Sequence, residues 1–274
     1  MDMMVFIGIA SSLVSLAVIL IIVYLLVLVR PPKKTKPSAA LMRDYVHRGL
    51  HGKDAPENSL AAFENACKAG YGMELDVQLS RDGEVMVFHD YSLLRMTGCN
   101  KKLSELDATE LSELFLDGSD QTIPTFRQVL DLVDGRAPIL VELKGEDLDT
   151  SLCTKVAALL KDYHGAYCLE SFNPLLIGNM KKQFPEAFCG LLYTNVCRDK
   201  KKRSALNIAL TAMALNFIAR PDFIAYNKED RDSLPVRITT GLYGAPKVVW
   251  TIKTREELDT AHANGELPIF ENIF

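Results

Sequence analysis

Residues 73–90 read MELDVQLSRDGEVMVFHD. Two short apolar runs, Met73–Gln78 and Val85–His89, flank Ser80-Arg81-Asp82-Gly83, a junction too short for a helix and carrying the Asp-Gly hairpin signal. Two strands paired across that turn return His89 to the side of Glu74 and Asp76. The two carboxylates lie two residues apart, so both point to one face of their strand. That face would otherwise be core, where two unpaired carboxylates cost too much to keep. A divalent cation resolves the conflict.

Outward from this hairpin the pattern becomes regular. Further strands are expected at Arg43–Val46, Ile139–Leu143, Tyr167–Ser171, Phe188–Tyr193, Phe223–Tyr226, Val248–Ile252 and Ile269–Phe270, with helical stretches between most of them. Asn173-Pro174 reads as an N-cap followed by proline at the first helical position. Thr125-x-x-Gln128 and Thr254-x-x-Glu257 read as capping boxes, and Gly265 as the stop of the last helix. Alternating strands and helices point to a parallel sheet with crossover helices, and eight or nine strands fit a closed barrel better than an open sheet. Tyr91–Ile123, polar around one helix expected at Ala108–Phe115, reads as an excursion over one barrel face. Arg203–Ala219 is nearly all apolar but too short to span a bilayer. It reads as a buried or barrel-packing helix, with contact at a membrane interface as the alternative.

From Val5 to Val29 no charge interrupts a run rich in Val, Leu and Ile. At about 1.5 Å per residue such a helix rises about 37 Å, enough to cross a hydrocarbon core with some tilt. A cleaved signal peptide is the competing reading. It wants basic residues before a shorter apolar region, whereas only Asp2 precedes this one and Arg30-Pro31-Pro32-Lys33-Lys34-Thr35-Lys36 follows it. The favoured organisation is an uncleaved single-pass anchor in the cell membrane over 1–30, a basic Pro/Lys linker over 31–40, and one α/β domain over 41–274 with an insertion at about 91–123. By the positive-inside rule the domain lies in the cytoplasm, with Lys33–Lys36 near anionic headgroups. A net charge of −4 argues against nucleic acid as a partner. The six cysteines show neither ligand nor framework spacing and read as reduced thiols.

In a parallel barrel, polar residues at the C-terminal ends of strands line the active site. His47-Arg48 ends the first strand and His89-Asp90 the third. Glu142, within Ile139–Leu143, is a third inward carboxylate, and Lys144 lies two residues on along the same face. Three acidic groups with no Cys or closely spaced His suit Mg²⁺ or Ca²⁺ rather than zinc. Each residue alone has a duller reading: a satisfied strand-end histidine, a surface Glu142–Lys144 pair, Asp90 capping a loop, Arg48 paired with Glu57. Their coincidence on one rim favours a site.

Taken in order, these segments resemble a known signature. His47-Arg48-Gly49, Pro56-Glu57-Asn58-Ser59-x-x-Ala62-Phe63, Glu74-x-Asp76-Val77, Asp82-Gly83 and Val87-Phe88-His89-Asp90 are similar to the motif of glycerophosphodiester phosphodiesterases. Ile123-Pro124-Thr125, Glu142-Leu143-Lys144, Ser171-Phe172 and Trp250-Thr251 continue it. The likeness runs from about Tyr45 to the end and leaves the N-terminal anchor outside.

The resemblance implies a TIM (β/α)8 barrel that hydrolyses glycerophosphodiesters to glycerol 3-phosphate and an alcohol, with a divalent cation. It implies His47 and His89 as the acid/base pair, Glu74, Asp76 and Glu142 as metal ligands, and Arg48 and Lys144 on the phosphate. One imidazole would deprotonate the attacking group and the other protonate the leaving alkoxide. Phe172 and Trp250 are candidate apolar walls for the substrate, with barrel packing as the alternative. Where the family has Arg-Thr-Thr-Gly, this chain has Arg95-Met96-Thr97-Gly98, and the basic Lys200–Arg203 run is not part of the pattern. The alternative activity is phospholipase D-like hydrolysis of membrane lysophospholipids at the same site. An inactive membrane-tethered binding protein is the second alternative, and the complete set of His47, Glu74, Asp76, His89 and Glu142 counts against it.

Overall fold

The computed structural model describes residues 3–31, 37–145 and 147–273; Lys33, Lys34 and Lys36 of the expected basic linker lie outside them. Nine strands form one sheet: β1 (Tyr45–Val46), β2 (Gly72–Leu79), β3 (Val85–Val87), β4 (Ile139–Leu143), β5 (Tyr167–Ser171), β6 (Cys189–Tyr193), β7 (Phe223–Asn227), β8 (Lys247–Ile252) and β9 (Leu267–Phe270). β1 pairs in parallel with both β2 and β9, so the sheet closes as a barrel of eight parallel strands. Only β3 runs against its neighbour, on β2, which is the expected hairpin. Ser80 N donates to Glu84 O at 3.0 Å, and Gly83 takes a φ of 79°, which costs a glycine little.

Side-chain alternation sorts the strands into two layers. Leu75, Val77, Ile139 and Val141 point outward beneath the helices. Tyr45, Leu140, Cys168, Leu192, Phe223, Ala225, Val248 and Ile269 come from alternate positions and fill the barrel interior. Two residues beyond Leu140 and Cys168, on the same inward face, stand Glu142 and Glu170. The interior is therefore apolar towards the strand starts and acidic towards their C-terminal ends.

Three elements differ from expectation. β1 lacks its first two expected residues, because Arg43 N turns back to Leu41 O at 3.0 Å. The helix at 108 stops at Leu111, and the chain continues through a turn into an isolated bridge between Phe115 and Thr122. Leu93, Met96, Leu103, Leu106, Leu111, Leu116 and Ile123 from this excursion pack on Met86 and Phe88 as a separate small core. Arg203–Ala219 forms two helices, Ala205–Thr211 and Asn216–Ala219, separated where Met213 takes a φ of 50°. Met213, Asn216 and Ala219 are buried as expected of barrel packing, whereas Leu206, Ile208 and Phe217 are exposed.

At the N-terminus, α1 (Met3–Val23) continues into a π-helical segment, Tyr24–Leu28, giving an apolar span of 23 residues from Phe6 to Leu28. Most of it is bare, but its end is docked on the barrel. Val29 is fully buried within the outer core.

Candidate active site

β2, β4 and β5 stand side by side in register, with Asp76 opposite Glu142 and Glu142 opposite Glu170. With Glu74 this makes a group of four buried carboxylates at one end of the barrel. Ligand oxygens of Glu74, Asp76 and Glu142 all lie within 4.8 Å of one another. Lys144 Nζ sits 2.9 Å from Asp76 Oδ1 and 2.7 Å from Glu142 Oε1, so this pair belongs to the interior and not to the surface. The Arg48 backbone N–H donates to Glu74 Oε2 at 3.0 Å, and its guanidinium Nε lies 3.6 Å from Asp76 Oδ2. Asn58 Nδ2 donates to Asp76 Oδ2 at 2.9 Å.

The charges are unequal partners. Burial raises the Glu74 carboxyl well above its ordinary range, and the neighbouring Asp76, Glu142 and Glu170 charges add to it. Burial likewise pushes Glu142 up to about 7 against the opposing pull of Lys144. For Asp76 burial is outweighed by Lys144, His89 and Arg48, which hold it well below the usual carboxylate range. Glu170 is raised by burial and by Glu142 and Asp76, and among the described residues its Oε2 has no hydrogen-bond partner. A hard divalent cation fits this set. Three carboxylate oxygens within 4.8 Å of one another can converge on one such ion, and the donors are all hard oxygen ligands.

Both expected histidines stand beside this cluster, and each has its own carboxylate. His47 Nδ1 is 2.7 Å from Glu271 Oε2, and His89 Nδ1 is 2.6 Å from Asp90 Oδ1. A carboxylate on Nδ1 favours the tautomer with its proton there and leaves Nε2 as the working nitrogen. Burial lowers both imidazoles; the Glu271 hydrogen bond lifts His47 part of the way back, and Asp76 does so for His89. Glu271 itself is held far below its usual range, first by its hydrogen bond with His47 and then by His51, whose Nε2 stands 3.9 Å away.

The substrate-side loop is tied down by charge. Arg95, from the segment that departs from the family pattern, bridges Asp90 Oδ2 (2.6 Å) and Glu57 Oε1 (2.6 Å). Glu57 in turn holds Arg48 at 2.8 Å, so the plain Arg48–Glu57 pairing is present inside the larger network. A chain of ion pairs thus runs from His89 through Asp90, Arg95, Glu57 and Arg48 to Asp76. Gln78, buried on β2, donates its side-chain amide to the carbonyls of Phe88 (2.8 Å), His89 (3.1 Å) and Asp90 (2.9 Å).

His47, Arg48, Glu74, Asp76, His89, Glu142 and Lys144 are therefore brought together. Phe172 and Trp250 meet each other edge to face at 5.7 Å, and Trp250 Nε1 donates to Ala225 O at 3.0 Å. Among the described residues no hydrogen bond or ring contact links them to the acidic cluster. Glu170 and Glu271 escaped the sequence reading, as did the anchoring roles of Asn58 and Gln78. Glu170 carries a findable signal: it is a carboxylate two residues after inward Cys168 in a strand already identified. Glu271 carries a weaker one: it directly follows the expected strand Ile269–Phe270, but nothing local pairs it with His47.

Comparison with known proteins agrees with this geometry. Residues 47–267 match the model of the glycerophosphoryl diester phosphodiesterase family. A glycerophosphodiester phosphodiesterase of Caldanaerobacter subterraneus subsp. tengcongensis is 33% identical over 161 residues, covering 54% of this chain and 65% of that protein. A lysophospholipase D of Homo sapiens is 32% identical over 142 residues, covering 47% of this chain and 44% of that protein. The matches thus span between 44% and 65% of the length of these curated relatives. Among solved structures, an Oleispira antarctica phosphodiesterase in complex with sn-glycerol-3-phosphate superposes with a TM-score of 0.69 at 24% identity, covering 84% of this chain and 92% of that one. A glycerophosphodiester phosphodiesterase from Thermotoga maritima gives 0.64 at 25% identity, covering 83% and 93%.

Proposed function

The chain belongs to the glycerophosphoryl diester phosphodiesterase family, and from that premise we propose that it hydrolyses glycerophosphodiesters to glycerol 3-phosphate and an alcohol in a cation-dependent reaction. One observation carries the reading: two imidazoles, each oriented by its own carboxylate, stand beside a buried carboxylate row that also holds Lys144 and Arg48. The Oleispira protein's complex with sn-glycerol-3-phosphate is consistent with such a reaction on this fold.

Glu74, Asp76 and Glu142 would hold Mg²⁺ or Ca²⁺, which when bound supplies positive charge for the phosphodiester oxygens. Arg48 and Lys144 add charge that needs no reorganisation when the reaction occurs, because Glu57 and Asp76 already hold the first and Asp76 and Glu142 the second. Nε2 of one histidine takes the proton of the attacking glycerol hydroxyl while Nε2 of the other, protonated beforehand, gives its proton to the departing alkoxide, and water then opens the cyclic phosphate with the two roles reversed. Glu271 and Asp90 keep the rings aligned and stabilise each imidazolium as it forms. Phe172 and Trp250 supply an apolar wall beside the strand ends.

The test is a panel of glycerophosphodiesters and lysophospholipids presented to the full-length chain with Mg²⁺ or Ca²⁺ titrated in turn. Glycerol 3-phosphate release is expected from glycerophosphocholine, falling by about 10²–10⁴ in His47→Ala. Wild-type protein inert towards every glycerophosphodiester with either cation defeats the proposal. A second reading, hydrolysis of membrane lysophospholipids, draws support from the docked apolar helix and from the human relative's name.

The same helix supports anchoring in the cell membrane. Removal of the span as a signal peptide would take Val29 from the outer core. Arg30, Lys33, Lys34 and Lys36 flank its C-terminal end, which favours a cytoplasmic barrel. Protease added to intact cells is expected to spare the 32–36 linker, and cleavage there from outside reverses the orientation.

A further inference from the structure

The apolar span does not end on a loose tether. Tyr24 Oη donates to Ala212 O at 2.8 Å, Tyr243 Oη donates to Leu25 O at 2.6 Å, and Asn216 Nδ2 donates to Val29 O at 3.1 Å. Arg30 lies over the Tyr243 ring at 6.0 Å. Tyr24 and Leu25 belong to the last turn of the span itself, within about 5–6 Å of its end along the axis. With the span set across a bilayer as the anchor reading has it, barrel groups bonded to them stand near the depth of the lipid headgroups. Their chain neighbours are apolar and bare: Leu206 and Ile208 on the helix Ala205–Thr211 that Ala212 caps, Phe217 beside Asn216, and Leu242 beside Tyr243 are all exposed. The Lys200–Arg203 run, also exposed, leads into that helix.

We propose that Leu206, Ile208, Phe217 and Leu242 form a second, barrel-borne membrane contact that seats the barrel on the bilayer, with Lys200–Arg203 on anionic headgroups. The proposal rests on the anchor reading given above. Its occupant is an anionic phospholipid surface, for two reasons on the molecule. Each of its residues lies within six chain positions of a group bonded to the end of the span, and the basic run matches headgroup charge. Tyr24 and Tyr243 then occupy the interfacial belt where aromatic rings with one polar end are favoured.

Full-length protein reconstituted in vesicles of phosphatidylcholine and phosphatidylglycerol, doped with a phospholipid photoactivatable in its acyl chain near the headgroup, separates the outcomes. Lipid adducts on both 6–28 and 205–217 support the proposal, with the second set at least fivefold weaker in Leu206→Ser/Ile208→Ser or when the anionic lipid is left out. Adducts confined to 6–28 overturn it and leave the anchor standing. Adducts on neither segment overturn the anchor reading as well. A doubled particle mass in nanodiscs with no adducts on 205–217 assigns the patch to a second copy and likewise overturns it.

Discussion

Glu271 and Asp90 hold the two imidazoles in the same way, yet only one could be read in advance. Asp90 follows His89 directly, and the pairing needs no long-range fold. Glu271 reaches His47 across 224 positions, and only closure of β9 against β1 makes them neighbours. Glu170 lies between these cases: the alternation that marked Glu142 also marks it, but no nearby basic residue drew attention to it. Because Glu271 acts through His47, Glu271→Gln is expected to lower kcat by about 10–100-fold while the fold persists. The pH profile distinguishes positioning from simple damage. Burial depresses the His47 pKa and the Glu271 hydrogen bond partly restores it. Loss of that carboxylate lets the pKa fall further, so the limb of the rate profile belonging to His47 moves to lower pH. A profile that drops evenly with unmoved limbs would show that Glu271 is structural only.

At the scale of elements, the hairpin was readable because its information is local. A two-strand period, an Asp-Gly turn and a glycine at φ 79° lie within a dozen or so residues. Strand count and barrel closure followed from alternation, and the parallel strands match expectation to within two residues at each end. Helix interruptions were not readable. The stop at Leu111 and the left-handed Met213 are set by packing against distant elements, which a single sequence does not display. Two predictions belong here. Gly83→Val forces a β-branched residue into the left-handed region and is expected to destabilise the fold by about 1–2 kcal/mol, measured by urea titration. An unchanged midpoint would mean that the turn relaxes freely. Gln78→Leu leaves the Phe88, His89 and Asp90 carbonyls without their shared donor. A cost of about 1–3 kcal/mol is expected, with kcat reduced more than KM because His89 loses its fixed position. A pure change in KM would contradict that assignment.

For the whole molecule, the controlling quantity is the imbalance of charge at one end of an otherwise apolar barrel. Four buried carboxylates face Lys144 and Arg48, and Arg48 is also shared with Glu57. In the cation-free protein burial, with repulsion from the neighbouring carboxylates added, raises proton affinity: Glu142 is pushed up to about 7 and Glu74 well above its ordinary range. Protons and a divalent cation therefore compete for the same oxygens. At pH 6 Glu142 is mostly protonated and a cation must displace that proton; at pH 8 it need not. A cation at a hundred times its dissociation constant adds about 2.7 kcal/mol, or about 5–10 °C in Tm for a domain of this size. Thermal unfolding in chelator and in excess Mg²⁺ or Ca²⁺ is expected to show that rise at pH 8, a smaller one at pH 6, and none in Glu74→Gln/Glu142→Gln. Equal Tm values with and without either cation at pH 8 would remove the metal from this site. The charge excess would then have to be carried by protons alone, and the barrel would be most stable below neutrality, since Glu74, Glu142 and Glu170 bind protons more tightly folded than unfolded.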